Sequence, residues 1–254
     1  MHDPLFWSLA VLAAVLVGMG KGGLPVVSML AVPVMALSLN PVTATALLAP
    51  VYVVSDMFGL YSYRQAFDRR VVVIMAVGAT IGVALGWLTA AWVPAWAVTL
   101  GVGVIGLSFA LRLTFGRSDP KARAADAGRG VFWGVITGFT SFVSHAGAPP
   151  FQIYVLPLRR TKAVYAGTNT VLFTYLNIIK LVPYWALGQF SLSNLKIAAL
   201  LSVPAAVAVF AGVYLVKVLP DRLFFHLVTA ALLLVSLKLI ADGGYQAFLA
   251  LIAV

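Results

Sequence analysis

The sequence predicts an all-α integral membrane protein of two inverted repeats, each a broken, re-entrant pair of short helices followed by three transmembrane helices. Three observations lead there. The first is composition: 62% of the 254 residues are hydrophobic and 9% charged, and the mean hydropathy is +1.03. A soluble domain carries charge on roughly a quarter of its residues, so the outer surface of this chain must face lipid. The second is pattern. The apolar segments lack the strict alternation of membrane β-strands and therefore read as helices. The third is that the second half of the sequence repeats the layout of the first.

Taken in order, the apolar segments fall at about 5–19, 25–39, 42–63, 71–91 and 94–112. The polar stretch RLTFGRSDPKARAADAGRG follows, Arg112 to Gly130. Then come 131–144, 149–158, 163–187, 192–217, 222–241 and a short tail. The first repeat is thus expected over 1–113, with a re-entrant pair at about 5–39 and spans 42–63, 71–91 and 94–112. A cytoplasmic linker is expected over 114–130. The second repeat covers 131–242, with its pair at 131–158 and spans 163–187, 192–217 and 222–241, and an apolar tail at 243–254. A bilayer crossing takes about 20 residues. Three segments per half reach that length, and the first two of each half fall short and meet at a Gly/Pro-rich break. The start, MHDP, lacks the positive n-region of a cleavable signal, so the first apolar run is expected to be retained.

A fixed offset relates the halves. It places Lys21-Gly22-Gly23-Leu24-Pro25 on His145-Ala146-Gly147-Ala148-Pro149, Pro33 on Pro157 and Gln65 on Gln189. After a two-residue slip, Gly86 aligns with Gly212, Pro94 with Pro220 and Arg112 with Lys238. Breaks, prolines and segment lengths agree although few residues are identical, which reads as an internal duplication.

Charge sets the orientation. Lys and Arg number 17 against seven aspartates, and the net charge is +10. In a soluble chain this would suggest nucleic acid, but here cytoplasmic loops obeying the positive-inside rule account for it. The loop with Arg64, Arg69 and Arg70 and the central loop with Arg112, Arg117, Lys121, Arg123 and Arg129 belong inside. The breaks near Asn40 and Ala91–Pro94, and GQFSLS in the second half, carry no positive charge and belong outside. With the N-terminus outside and both short pairs re-entrant, 13 of the 17 basic residues are cytoplasmic. Each half then has an odd number of crossings and the halves are inverted. Full crossings by the short pairs would need helices of about 15 and 10 residues, below the usual length.

Some chemistry is excluded at once. There is no cysteine, so no disulfide or thiolate site forms. His2, His145 and His226 are too far apart in sequence for a metal cluster. No cofactor or metal site is expected, and no paired carboxylates support an enzyme. Ser144-His145 adjacency is not a dyad, because neighbouring helical side chains diverge. GMGKGG, Gly18 to Gly23, and GVGVIG, Gly101 to Gly106, match a dinucleotide fingerprint literally, but neither sits in a βαβ unit. Gly101–Gly106, the Gly78/Gly82/Gly86 spacing and the Gly130/Gly134/Gly138 spacing read as close helix contacts.

Lys21 invites a different reading. It is either a lysine snorkelling from a short external loop or a cation at a re-entrant tip. In the second case the amides of Gly20, Gly22 and Gly23 and the following helix N-terminus would help it hold a small anion. His145, beside Ser144, Ala146 and Gly147, is its counterpart in the other half, and it could donate to an anion or titrate near neutral pH. Thr43 and Thr45 open one long segment, and Gly167, Thr168 and Asn169 hold the matching place in the other, as path-lining groups or helix–helix hydrogen bonders. Asp56 is the carboxylate inside a predicted span and aligns with Lys180. They could be a structural pair, could snorkel separately, or could couple transport to protons. Trp87, Trp92, Trp96, Tyr184 and Trp185 read as interfacial belts.

At these residues the chain resembles the sulfite exporter TauE/SafE family of bacterial membrane permeases. The likeness rests on GMGKGGLP, on its weaker repeat SHAGAPP, and on AGTNTVLFTYLNIIKL, with layout agreement from about 5 to 242. The resemblance implies export of sulfite or an organosulfonate such as sulfoacetate across the bacterial inner membrane. It carries to Gly20, Lys21, Gly22, Gly23 and Pro25, and to Gly147, Pro149, Gly167 and Thr168. Val42-Thr43-Ala44-Thr45 departs from the G-T start of its second-half counterpart. The expected function is therefore a secondary transporter whose anion sits at the midplane between the two breaks. Uptake of sulfate, thiosulfate or another small anion, and an uncoupled anion channel, are the alternatives. The expected partners are a small anion and the lipid bilayer, with a homodimer as one assembly the chain could form.

Overall fold

The computed structural model describes residues 4–28, 30–39, 41–89, 92–115, 122–186 and 192–252. The expectations for Asn40, Ala91, Arg117, Lys121 and GQFS (188–191) lie outside the described residues, as do those for the side chains of Pro25, Thr45, Tyr184 and Trp185. All regular structure among the described residues is helical. The helices are α1 (Pro4–Lys21), α2 (Pro25–Ser28), α3 (Ala31–Met35), α4 (Pro41–Tyr63), α5 (Arg69–Thr89) and α6 (Ala95–Phe115). They continue as α7 (Ala127–Val143), α8 (Ala148–Val155) with a 3-10 turn at Leu156–Leu158, α9 (Lys162–Ala186), α10 (Leu192–Val218) and α11 (Asp221–Ile252). Among the described residues, five helices are long and apolar enough to cross a membrane: α1, α5, α6, α10 from Leu195, and α11. The chain is a multi-pass membrane protein.

Four boundaries differ from expectation. The segment 25–39 divides into α2 and α3, where a proline opens the first and Pro33, which lacks an N–H, sits inside the first turn of the second. The arm at 5–19, expected to be too short to cross, runs from Pro4 to Lys21 as 18 residues of mean hydropathy 1.7, so its length alone does not make it re-entrant. The tail set apart at 243–254 continues α11 to Ile252: Gly243 lies in close contact with Leu100 of α6, and that packing outweighs the low helix propensity of the Gly243–Gly244 pair. The linker expected over 114–130 is also narrower. Helix α6 reaches Phe115, and α7 starts at Ala127, where the Asp126 carboxylate accepts from the Arg129 amide at 2.8 Å as an N-cap.

The helices form two compact units, residues 1–68 with 162–220 and residues 69–161 with 221–254. These units cut across the sequence repeats. The first holds α1–α4 from one half with α9 and α10 from the other, and the second holds α5 and α6 with α7, α8 and α11.

In the first unit α1 packs along α10, which also packs on α4, while α4 crosses α9. Its core joins Phe6, Ala10, Ala13, Ala14 and Val17 of α1 to Ala31 and Met35 of α3. Leu47, Leu48 and Val51 of α4 and Ala198, Leu201 and Ala205 of α10 complete it. Small residues bring α1 and α10 together: a Cβ at Gly22 would stand 2.7 Å from Cα of Gly212, and one at Gly212 would stand 2.7 Å from the Met19 carbonyl oxygen.

In the second unit the corresponding contact lies between α7 and α5. Gly78 and Gly82 face the backbone of Val131 and Val135, and Gly134 and Gly138 face Met75 and Ala79. The two glycine spacings read from the sequence are thus each other's partners. Helices α6 and α11 pair through Gly103 and Gly106 against Ile240 and Ser236, whereas Gly101 has no neighbouring atom within 4 Å of the Cβ it lacks. Trp92 is 79% exposed and Trp87 43%.

Candidate functional site

Polar side chains in the interior of an apolar helix bundle must find partners. In the first unit they converge on Lys21. This residue ends α1 with its side chain buried, and its Nζ lies 2.7 Å from Oδ1 of Asp56 in the middle of α4. Asp56 is 1% exposed. Its Oδ1 also accepts from Thr174 Oγ1 at 3.1 Å and its Oδ2 from Asn177 Nδ2 at 2.7 Å, both on α9. The ammonium of Lys21 stands 5.3 Å from the ring centroid of Tyr52, one turn before Asp56. Lys180, also on α9, is buried and lies within electrostatic range of both Lys21 and Asp56. Two lysines, one aspartate and three uncharged polar groups thus share one apolar interior.

Local sequence explains the convergence. Tyr52, Asp56, Gly59 and Tyr63 recur at helical spacing and give α4 one polar face. Thr170, Thr174 and Asn177 do the same for α9. Gly59 leaves room for the backbone at Lys21, whose carbonyl oxygen would stand 3.0 Å from a Cβ there. The carbonyls freed at the end of α1 are taken up by these faces. Thr170 Oγ1 donates to the Lys21 oxygen at 3.2 Å, and Tyr63 OH donates to the Gly22 oxygen at 2.6 Å. Gly23 then turns the chain with φ of 110°, a conformation that suits glycine.

Several expected roles change. Lys21 does not snorkel from a loop but is held inside the unit by Asp56, so its charge is already balanced. Asp56 pairs with Lys21 from α1 and not with its sequence counterpart Lys180 alone. The amides expected to face an anion are occupied: Gly22 donates to the Gly18 oxygen at 2.9 Å and Gly23 to the Gly20 oxygen at 3.2 Å. Space left by Gly20 is filled by Ser28, and that left by Gly22 by Val209 and Gly212. The following helix, α2, is a single turn. Thr168 Oγ1 donates to Val164 oxygen at 2.6 Å and accepts from the Asp68 amide at 2.9 Å, which fixes the end of the α4–α5 connection. Asn169 is buried with no hydrogen bond on Oδ1. Thr43, in the first turn of α4, is half-buried.

The second unit carries Ser144, His145, Ala146 and Gly147 at the α7–α8 break. His145 has φ of 54° and is exposed. Ser144 N and Oγ both donate to the Thr140 oxygen, at 3.0 and 3.1 Å, and the Ala146 amide donates to the same oxygen at 3.2 Å. The Ala146 amide is therefore also occupied. Both breaks contain one residue of positive φ, Gly23 in the first and His145 in the second.

Thr174, Asn177, Tyr52 and Tyr63 were not anticipated as site groups. The signal was present in AGTNTVLFTYLNIIKL, where Thr170, Thr174 and Asn177 fall at i, i+4 and i+7.

With this geometry in place, the comparison with protein families is direct. The family model described as sulfite exporter TauE/SafE matches residues 8–239. That is most of the chain, and the chain belongs to this family. No curated protein sequence and no solved structure matches the chain significantly.

Proposed function

We propose that this member of the sulfite exporter TauE/SafE family is a secondary transporter that exports sulfite or an organosulfonate such as sulfoacetate across the bacterial inner membrane. Lys21 is the cation that reads the anion. The observation that carries this reading is the buried Lys21–Asp56 pair, supported by Thr174 and Asn177, with Lys180 close by. A structural ion pair in lipid is expensive, and ionisable groups at membrane depth mark substrate and ion pathways. An oxyanion can replace Asp56 as the partner of Lys21, because a sulfonate or sulfite oxygen presents the same charge and lone pairs as a carboxylate oxygen. The occupied amides at Gly22 and Gly23 leave the side chains as the groups that hold it.

Two inverted repeats, with the N-terminus outside and the central loop inside, complete the proposal. Corresponding contacts support it: α1 on α10 in one unit and α7 on α5 in the other join elements related by the sequence offset. Alternating access would follow from movement of the breaks at Gly22–Pro25 and His145–Pro149.

The test is efflux of radiolabelled sulfite and sulfoacetate from liposomes holding the purified chain. The expected result is saturable efflux that is abolished in the Lys21→Met/Asp56→Asn double variant, which removes both charges of the pair together. Wild-type efflux in that variant overturns the assignment of Lys21.

A further inference from the structure

The charge inventory of the first unit carries one step more. Resting on the transport reading above, we infer that Asp56 is the proton acceptor that matches a dianionic cargo, so the protein takes up one proton more with a dianion than with a monoanion.

The groups involved can be named completely for the described residues. Asp56 receives Lys21 from α1, and Thr174 and Asn177 from α9. Lys180 of α9 and Tyr52 of α4 are the other ionisable groups in range. Helix α10 also packs on α4, but its charged residues Lys196 and Lys217 are exposed, and α3 has none. Asp56 is thus the single acid among the buried charged side chains.

An anion that takes Lys21 removes the cation from Asp56 and puts negative charge beside it. Both changes favour the neutral carboxylic acid. For a monoanion the exchange is even: one negative partner of Lys21 replaces another, and the displaced carboxylate keeps Lys180, Thr174 and Asn177. A dianion brings one further negative charge into the same apolar interior, where uncompensated charge is costly. A proton from the adjoining aqueous side, bonded to an Asp56 oxygen, cancels that charge. It leaves to water when the dianion leaves and Lys21 returns. The additional proton falls on Asp56, the group from which the anion takes Lys21, and Asp56→Asn separates this from uptake by Lys180, the buried amine in range.

The experiment is titration calorimetry on the purified full chain in two buffers of different ionisation enthalpy. The probes are methanesulfonate, a monoanion, and sulfoacetate, a dianion above the range in which carboxylates titrate. The proton count with sulfoacetate should exceed that with methanesulfonate by close to one, and Asp56→Asn should erase the difference. A measurement that needs no variant follows from linkage. Between about pH 6 and 8 the affinity ratio of sulfoacetate to methanesulfonate should rise about tenfold for each unit that pH falls. Equal proton counts and a pH-independent ratio in the wild type overturn the inference while leaving anion transport intact. A difference that persists in Asp56→Asn overturns the assignment to Asp56. Binding of neither anion would instead sink the transport reading itself.

Discussion

Breaking the Lys21–Asp56 pair from one side and then from both separates its energetic role from its functional one. The charges lie 2.7 Å apart with both side chains buried. At an effective dielectric of about 20 their attraction is roughly 6 kcal/mol, and desolvation of both groups offsets much of it. Lys21→Met alone leaves a buried carboxylate without its nearest cation, and Asp56→Asn alone leaves a buried ammonium. Each is expected to destabilise by about 3–5 kcal/mol. The double variant removes both charges, so its cost should fall well below the sum of the singles, with a coupling of about 2–3 kcal/mol or more. The assay is denaturant or thermal unfolding of the four detergent-solubilised proteins, read by tryptophan fluorescence. Strict additivity would refute the argument, because it would mean the two groups do not share one electrostatic environment.

Three further outcomes test the packing within the two units. Gly103→Ala places a Cβ 2.8 Å from the Ile240 amide nitrogen and should lower stability by about 1–3 kcal/mol. Gly101→Ala, in the same run but with open space around it, should be neutral or slightly stabilising, and melting temperatures of the pair decide this. Tyr63→Phe strips the Gly22 carbonyl of its buried donor at 2.6 Å and should cost about 1–3 kcal/mol, seen as a lower unfolding midpoint. Asp126→Ala removes the N-cap of α7 and should cost about 0.5–2 kcal/mol, seen as earlier hydrogen exchange at Arg129–Val131.

Much of the fold was legible because lipid imposes a simple rule on composition. Most helices begin or end within a few residues of their apolar segments, and Gly78/Gly82/Gly86 announced a close helix contact. The partner of that stripe could not be read, since Gly130/Gly134/Gly138 lies in the other half and only the fold brings them together. The site was legible as an inventory and not as a pairing. Lys21, Asp56 and Lys180 stand out as costly residues in apolar segments. Aligning the repeats suggested Asp56 with Lys180, whereas the helix termination at Lys21 delivers a different cation to the same carboxylate. The glycines of GMGKGG were ambiguous for a physical reason: absence of a Cβ serves a ligand and a neighbouring helix equally well, and here α10 and Ser28 take the space.

The exchange of helices between sequence halves has a consequence for how such a chain can come into being. Helix α1 finds its long neighbour only after residues 192–218 have been made, and α5 waits for 127–143. The core of the first unit is closed by Ala198, Leu201 and Ala205 from the second half. Cutting the present chain between Phe115 and Ala127 and expressing the fragments together should restore a stable protein, whereas either fragment alone should be degraded.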